Sequence, residues 1–126
     1  MLRKALLTFL ALSAIVEFAM AIGGFIMPDF ARQVFKIGTS DDTRFLTFIT
    51  AWFLLLIGVF CAYAWLQTFR GKRTGYTVTN ILGIWWIGIG IGIYFFTHGQ
   101  RPDNLVLDSA KGAVLVLLNY LNHRFG

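Results

Sequence analysis

Residues 5–27 read ALLTFLALSAIVEFAMAIGGFIM, an apolar run interrupted near its centre by one carboxylate, Glu17. A helix needs about 20 apolar residues to cross the roughly 30 Å hydrocarbon core of a bilayer, so this run is long enough for one membrane span. Further runs of similar length lie at about residues 45–67, 76–97 and 105–122. The last is the weakest span, since it contains Asp108 and Lys111. Continuous apolar runs without alternation indicate helices.

The composition favours a membrane environment. Hydrophobic residues make up 57% of the 126 residues and charged residues 13%, whereas soluble domains are about 45–50% apolar and about 25% charged. A domain this small cannot bury such an excess of apolar surface in water. We therefore predict an all-α integral membrane four-helix bundle that forms a single domain over residues 1–126. The net charge of +5 suits anionic lipid headgroups, and no nucleic-acid partner is expected.

The basic residues predict the orientation, because cytoplasmic loops are enriched in lysine and arginine. With the N-terminus inside, the inner side would hold Arg3, Lys4, Arg70, Lys72, Arg73 and Arg124, and the outer side Arg32, Lys36, Arg44 and Arg101. Both termini are therefore predicted to be cytoplasmic, with Arg70, Lys72 and Arg73 in contact with lipid headgroups. Because Glu17 interrupts the first run, we expect a retained span and not a cleaved signal peptide.

The segment between the first two spans, residues 28–44, is too long for a plain turn. Pro28 and Asp29 are suited to start a helix. The spacing predicts a short amphipathic helix in the outer membrane interface. Its apolar face would be formed by Phe30, Val34 and Ile37.

Glu17 is the first candidate functional residue, because a charge at the bilayer centre costs about 2.5–3.5 kcal/mol on insertion scales. Its helical neighbours are mostly small, so another helix can approach closely. Lys111 lies within about 5 Å of the same depth, which makes an ion pair between the two geometrically feasible. Two interpretations stay open for Glu17: a functional carboxylate, or a protonated side chain that only serves packing. Lys111 could instead extend outward to the interface.

Other polar and small residues of the last two spans complete the candidate set. Asn80 and Trp85 lie in the third span and Asn119 in the fourth. Asp108 could belong to this set or could cap the start of the fourth span. Gly88 and Gly92 have the spacing that permits tight helix contact, which favours packing within the bundle over dimerisation.

No metal, cofactor or catalytic site is expected. The chain has one cysteine, Cys61, so a thiolate cluster is excluded. His98 and His123 fall at opposite ends of their spans, a membrane thickness apart. No serine has a histidine at matching depth to act as its base.

The order of spans, together with Asp108-Ser109-Ala110-Lys111-Gly112 at the start of the fourth, resembles small bacterial four-helix membrane proteins of the DoxX-like and BphX-like families. This resemblance implies a bacterial inner-membrane location. Some DoxX-like proteins are regarded as accessory subunits of quinone-linked oxidoreductases, which implies an accessory or lipophile-binding role here.

Two functional hypotheses follow. The first is a non-enzymatic module that binds a lipophilic small molecule or joins a larger membrane complex. Its polar interior would comprise Glu17, Asn80, Trp85, Asp108, Lys111 and Asn119. The second is a proton-coupled transporter or channel for a small molecule or ion, acting as a dimer, in which Glu17 exchanges a proton. A homo-oligomer is thus one expected partner state. No motif argues for an intramembrane enzyme.

Overall fold

The computed structural model describes residues 1–35, 41–99 and 102–125, with the backbone alone at 32, 34, 35, 41–44 and 104. Within these ranges every regular element is helical, and no strand occurs. The elements are α1 (Leu2–Ile26), α2 (Pro28–Phe35), α3 (Asp41–Phe69), α4 (Arg73–Phe96), α5 (Pro102–Asn104), a π-helical turn (Leu105–Ser109) and α6 (Ala110–Phe125). The predicted all-α class is confirmed.

Four helical segments are long and apolar enough to cross a membrane. They are Leu2–Ile26, Phe45–Phe69, Arg73–Phe96 and Leu105–Phe125. Even the shortest has 21 residues and extends about 32 Å at 1.5 Å per residue, which matches a hydrocarbon core of about 30 Å. Large apolar side chains such as Ile84 and Leu107 are 64% and 69% exposed, as expected of surfaces that face lipid. The chain is a small integral membrane protein.

The chain divides into two units. Unit 1 comprises Met1–Leu10 and Tyr63–Gly126, and unit 2 comprises Ala11–Ala62. Unit 1 therefore contains the first turns of α1, the last turns of α3 and the helices from α4 onward. Unit 2 contains the rest of α1, the short α2 and most of α3. The single domain inferred from the sequence stays a prediction.

In unit 1, α4 and α6 approach each other closely at two glycines. A Cβ atom on Gly112 would clash with the carbonyl oxygen of Gly83 and would lie 2.8 Å from the amide nitrogen of Ile87. By contrast, nothing among the described residues lies within 4 Å of a Cβ added to Gly88 or Gly92. Within unit 1, the tight contact between α4 and α6 is therefore made by Gly83 and Gly112, and not by the predicted pair Gly88 and Gly92.

In unit 2, aromatic rings connect α1 and α3. The ring of Phe18 lies 3.1 Å from a Cβ built on Gly58, so glycine leaves room for the ring against α3. Further along, Phe25, Phe48 and Trp52 form a cluster of edge-to-face pairs with centroid distances of 5.4 to 6.3 Å. Such pairs stabilise packing beyond the area they bury.

The predicted short helix between the first two spans is α2, which begins at Pro28. Its first turn is closed by a hydrogen bond of 2.9 Å from the Ala31 amide to the carbonyl of Met27, the residue between α1 and α2. Proline is favoured at a first helical position because its missing N–H would have no partner there. Of the predicted apolar face, Phe30 is exposed, whereas the side chain of Val34 and all of Ile37 lie outside the described residues. The interfacial placement of α2 stays a prediction.

A glycine turn joins α3 directly to α4. Gly71 has a φ of +70°, its amide donates to the Thr68 carbonyl, and the Lys72 amide donates to the Gln67 carbonyl. This pair of bonds is the Schellman motif, which needs a left-handed residue and therefore favours glycine. The turn places the first residues of α4 beside the last turn of α3.

Candidate functional site

Two predicted candidates, Asn80 and Asn119, are brought together inside unit 1. Asn119 is 2% exposed, and its Nδ2 donates to Oδ1 of Asn80 at 2.8 Å and to the carbonyl oxygen of Tyr76 at 2.9 Å. Asn80 lies seven residues into α4, about 10 Å along the helix axis. Because the amide donates to two acceptors on α4, it ties α4 to α6.

Lys111 lies over the face of Trp86. Its Nζ is 3.9 Å from the ring centroid, Trp86 is 2% exposed and Lys111 is half-buried. A cation on an indole face gains about 2 kcal/mol or more when the pair is desolvated. Trp86 is 13 residues into α4, about 20 Å along its axis, so this pair lies well within the spanning segment.

Trp85, the tryptophan selected from the sequence, lies on the outside of unit 1. It is 39% exposed, and its ring centroid is 6.3 Å from that of Trp86. Consecutive helical residues point about 100° apart, so only one of the two can face the partner helix. Trp86 is the candidate that sequence reasoning did not select.

Asp108 and Ser109 belong to the π-helical turn that precedes α6. Ser109 Oγ donates to the carbonyl oxygen of Ile87 at 3.0 Å, which links this turn to α4. Asp108 is half-buried and lies within a helical run that begins at Pro102. The alternative in which Asp108 caps the start of the span was therefore wrong. Single π-turns inserted in α-helices are frequent at functional sites.

Glu17 is 4% exposed and lies in unit 2. The small residues three, four and seven positions from it along α1 are buried as well; they are Ser13, Ala14, Ala21 and Gly24. Lys111 belongs to unit 1, and the ion pair between Glu17 and Lys111 stays a prediction.

A polar cleft of about 650 Å³ lies where three segments of unit 1 meet: the start of α1, the α3–α4 turn and the end of α6. No acidic residue is found among the described residues that line it. The lining residues are Arg3, Thr68, Gly71, Lys72, Arg73, Tyr76, Asn119, Asn122 and His123.

Contacts around the cleft hold its lining in place. The Arg3 guanidinium donates through Nη2 to the carbonyl oxygen of Phe69 and lies 5.6 Å from the centroid of the Phe69 ring. Tyr76 stacks on His123 with ring centroids 4.2 Å apart. A Cβ on Gly75 would lie 2.7 Å from Thr68 Oγ1, so glycine is required where α4 meets α3.

The cleft includes only part of the predicted headgroup-contact set. Lys72 and Arg73 line it, whereas Arg70 is exposed and does not. Sequence reasoning missed Arg3 and His123 as members of this site. The signal for them was their predicted location on the same side of the membrane as the α3–α4 turn.

Among the described residues, no group of three His, Cys, Asp or Glu side chains could hold a metal ion. Comparison with family models, with curated proteins and with solved structures gives no match. The function is therefore inferred from the Lys111–Trp86 pair of unit 1 and from the buried Glu17 of unit 2.

Proposed function

We propose that this chain is a non-enzymatic membrane module that binds a lipophilic molecule carrying an acidic or carbonyl oxygen. The supporting observation is the Lys111 ammonium group, held 3.9 Å from the centroid of the buried Trp86 ring within the spanning helices. Ionisable residues in membrane spans are costly and commonly mark functional sites. An ammonium carries three N–H donors, and a ligand oxygen at this depth has little water to compete with it.

The surroundings of this pair suit recognition of a molecule from the bilayer. Trp85 is 39% exposed and its ring centroid lies 6.3 Å from that of Trp86, so exposed aromatic surface borders the ring that Lys111 covers. A lipophilic ligand would place its apolar part on this surface and its oxygen towards Lys111. The proposal keeps the other polar candidates from the sequence, which are Asn80, Asp108 and Asn119 in unit 1 and Glu17 in unit 2.

A role as accessory subunit of a larger membrane complex belongs to the same proposal. It follows from the resemblance to DoxX-like proteins, together with a bacterial inner-membrane location and cytoplasmic termini. In that case the surface around Trp85 would contact another subunit instead of, or together with, the lipophilic molecule.

The test compares ligand retention in matched variants. Wild-type protein, Lys111→Met and Lys4→Met are purified in a mild maltoside detergent, extracted with organic solvent and analysed by mass spectrometry. Lys4 is exposed at the start of α1, so its replacement removes the same charge away from the proposed site. We expect one compound to accompany wild type and Lys4→Met, with about tenfold less in Lys111→Met, as for loss of one charged hydrogen bond.

Equal amounts of the compound in Lys111→Met and wild type would show that Lys111 does not bind it. An equal reduction of the compound in both variants would show that the overall positive charge of the protein, and not this site, determines binding. Thermal unfolding of each variant checks that the fold is retained.

Proton-coupled transport is the second candidate, favoured by the burial of Glu17, which is 4% exposed within a membrane-length helix. Liposomes containing wild type, Glu17→Gln or Asp29→Asn are loaded with a pH-sensitive dye and subjected to a pH gradient. Transport predicts proton flux in wild type and Asp29→Asn and its loss in Glu17→Gln. Flux that ignores both the gradient and the Glu17 substitution would end this candidate.

A further inference from the structure

We propose that the polar cleft of unit 1 binds a phosphate group. Three basic side chains, Arg3, Lys72 and Arg73, line it, and its described lining contains no carboxylate that would repel an anion. A phosphate ester carries one or two negative charges and several acceptor oxygens. Guanidinium groups match this geometry with paired hydrogen bonds, and an ammonium group adds a point charge.

The start of α4 contributes to the same site. The helix begins at Arg73, and its N-cap residue, Lys72, makes no side-chain hydrogen bond to the first turn. Lysine has no acceptor to offer, so a ligand anion would supply the acceptor that a serine or aspartate supplies at other helices. The positive end of the helix dipole favours an anion here as well.

Thr68 supplies the independent observation. It lines the cleft and is 8% exposed, and its hydroxyl oxygen has no hydrogen-bond partner among the described residues. Buried hydroxyl groups in proteins are nearly always paired. The hydroxyl lies against Gly75 in the first turn of α4, so a phosphate oxygen placed between the last turn of α3 and the first turn of α4 would accept its hydrogen bond.

The location favours the phosphate of an anionic lipid over that of a soluble molecule. Most lining residues lie at the ends of membrane-length helices or in the turn between two of them, which is the depth of lipid headgroups. Phe69 and Phe125 at these helix ends are 53% and 69% exposed and would contact acyl chains. This inference shares Asn119 with the proposed function, but the two tests change different residues, Lys111 in one and Lys72 or Arg73 in the other, so either proposal can fail without the other.

The experiment is a binding titration with the full-length protein in a maltoside detergent, which contains no phosphate. The probes are short-chain phosphatidylglycerol, diacylglycerol with the same chains, and inorganic phosphate. Tryptophan fluorescence reports binding, because Trp65 stacks on Phe69 with centroids 5.3 Å apart and Phe69 contacts Arg3. The variants are Arg73→Gln and Lys72→Gln, with Arg70→Gln as the control that removes a charge from the same turn outside the cleft.

We expect phosphatidylglycerol to bind and diacylglycerol not to bind. Arg73→Gln and Lys72→Gln should each weaken binding about tenfold, the effect of one charge-assisted hydrogen bond, while Arg70→Gln changes it less than about twofold. If inorganic phosphate binds and phosphatidylglycerol does not, and the variants weaken phosphate binding as described, the phosphate site is supported but its ligand is a soluble molecule. Equal weakening by all three variants, or equal binding of both lipids, would overturn the proposal.

Discussion

Replacement of Gly112 by alanine tests the helix contact at the centre of unit 1. The added methyl group would clash with the Gly83 carbonyl and lie 2.8 Å from the Ile87 amide nitrogen, where ordinary contact begins at 3.4 Å. To restore ordinary contact with the Ile87 nitrogen, α4 and α6 would have to move apart by at least about 0.6 Å at this point. Forced separations of this kind in packed interiors cost about 1–3 kcal/mol.

The separation would also reach the Asn80–Asn119 pair. Asn119 is seven residues from Gly112, about 10 Å along α6. Its hydrogen bonds of 2.8 and 2.9 Å would stretch to about 3.4–3.5 Å, the limit for such bonds. Polar bonds in membranes are worth about 0.6 kcal/mol each on average. We therefore expect Gly112→Ala to lower the free energy of unfolding by about 2–4 kcal/mol in total.

The assay is unfolding of the purified protein in mixed micelles with increasing sodium dodecyl sulfate, followed by far-UV circular dichroism. Gly88→Ala is the matched control, since nothing described lies within 4 Å of its added Cβ. It should be neutral or stabilise by up to about 1 kcal/mol, because alanine is the better helix former. If Gly112→Ala is as stable as wild type, or if both variants lose equal stability, the close approach of α4 and α6 is refuted.

Three further substitutions test contacts elsewhere. His98, which follows the end of α4, has a φ of +52°, a left-handed conformation that glycine adopts at lower cost than histidine. His98→Gly should therefore raise the free energy of unfolding by about 1 kcal/mol in the same assay. No gain in stability would mean that the left-handed conformation is not strained. Asn119→Ala should lower the free energy of unfolding by about 1 kcal/mol, because two hydrogen bonds are lost. A double-mutant cycle with Asn80→Ala should show coupling between the two residues, and strictly additive effects would contradict the hydrogen bond between them. Gly58→Ala would bring a Cβ to 3.1 Å from the Phe18 ring. Because a ring can shift more easily than a helix backbone, we expect a loss of about 1 kcal/mol or less in the free energy of unfolding. A loss as large as that of Gly112→Ala would contradict this reasoning.

The four spans could be predicted because span length and apolarity are local properties of the sequence. Which residues face a partner helix could not. Trp85 and Trp86 have the same chemistry and adjacent positions, and only the rotation of α4 against α6 makes Trp86 the buried ring. The same rotation turns Gly88 away from α6 and places Gly83 in the contact.

The cleft was predictable in part. The basic α3–α4 turn stands out in the sequence, and orientation rules place Arg3 on the same side of the membrane. That Arg3 contacts Phe69, and that the hydroxyl of Thr68 lacks a partner among the described residues, depends on packing between distant segments. The π-helical turn at Leu105–Ser109 has no comparable signal in the residue pattern.

Native mass spectrometry of the protein after gentle extraction from its membrane tests the central proposal most directly. The proposal predicts a chain that carries one defined small mass, which is retained in Lys4→Met and lost in Lys111→Met. Additional protein chains at fixed stoichiometry would assign the module to a larger complex. A chain that carries no small molecule and no partner, in wild type as in Lys111→Met, would contradict the proposal.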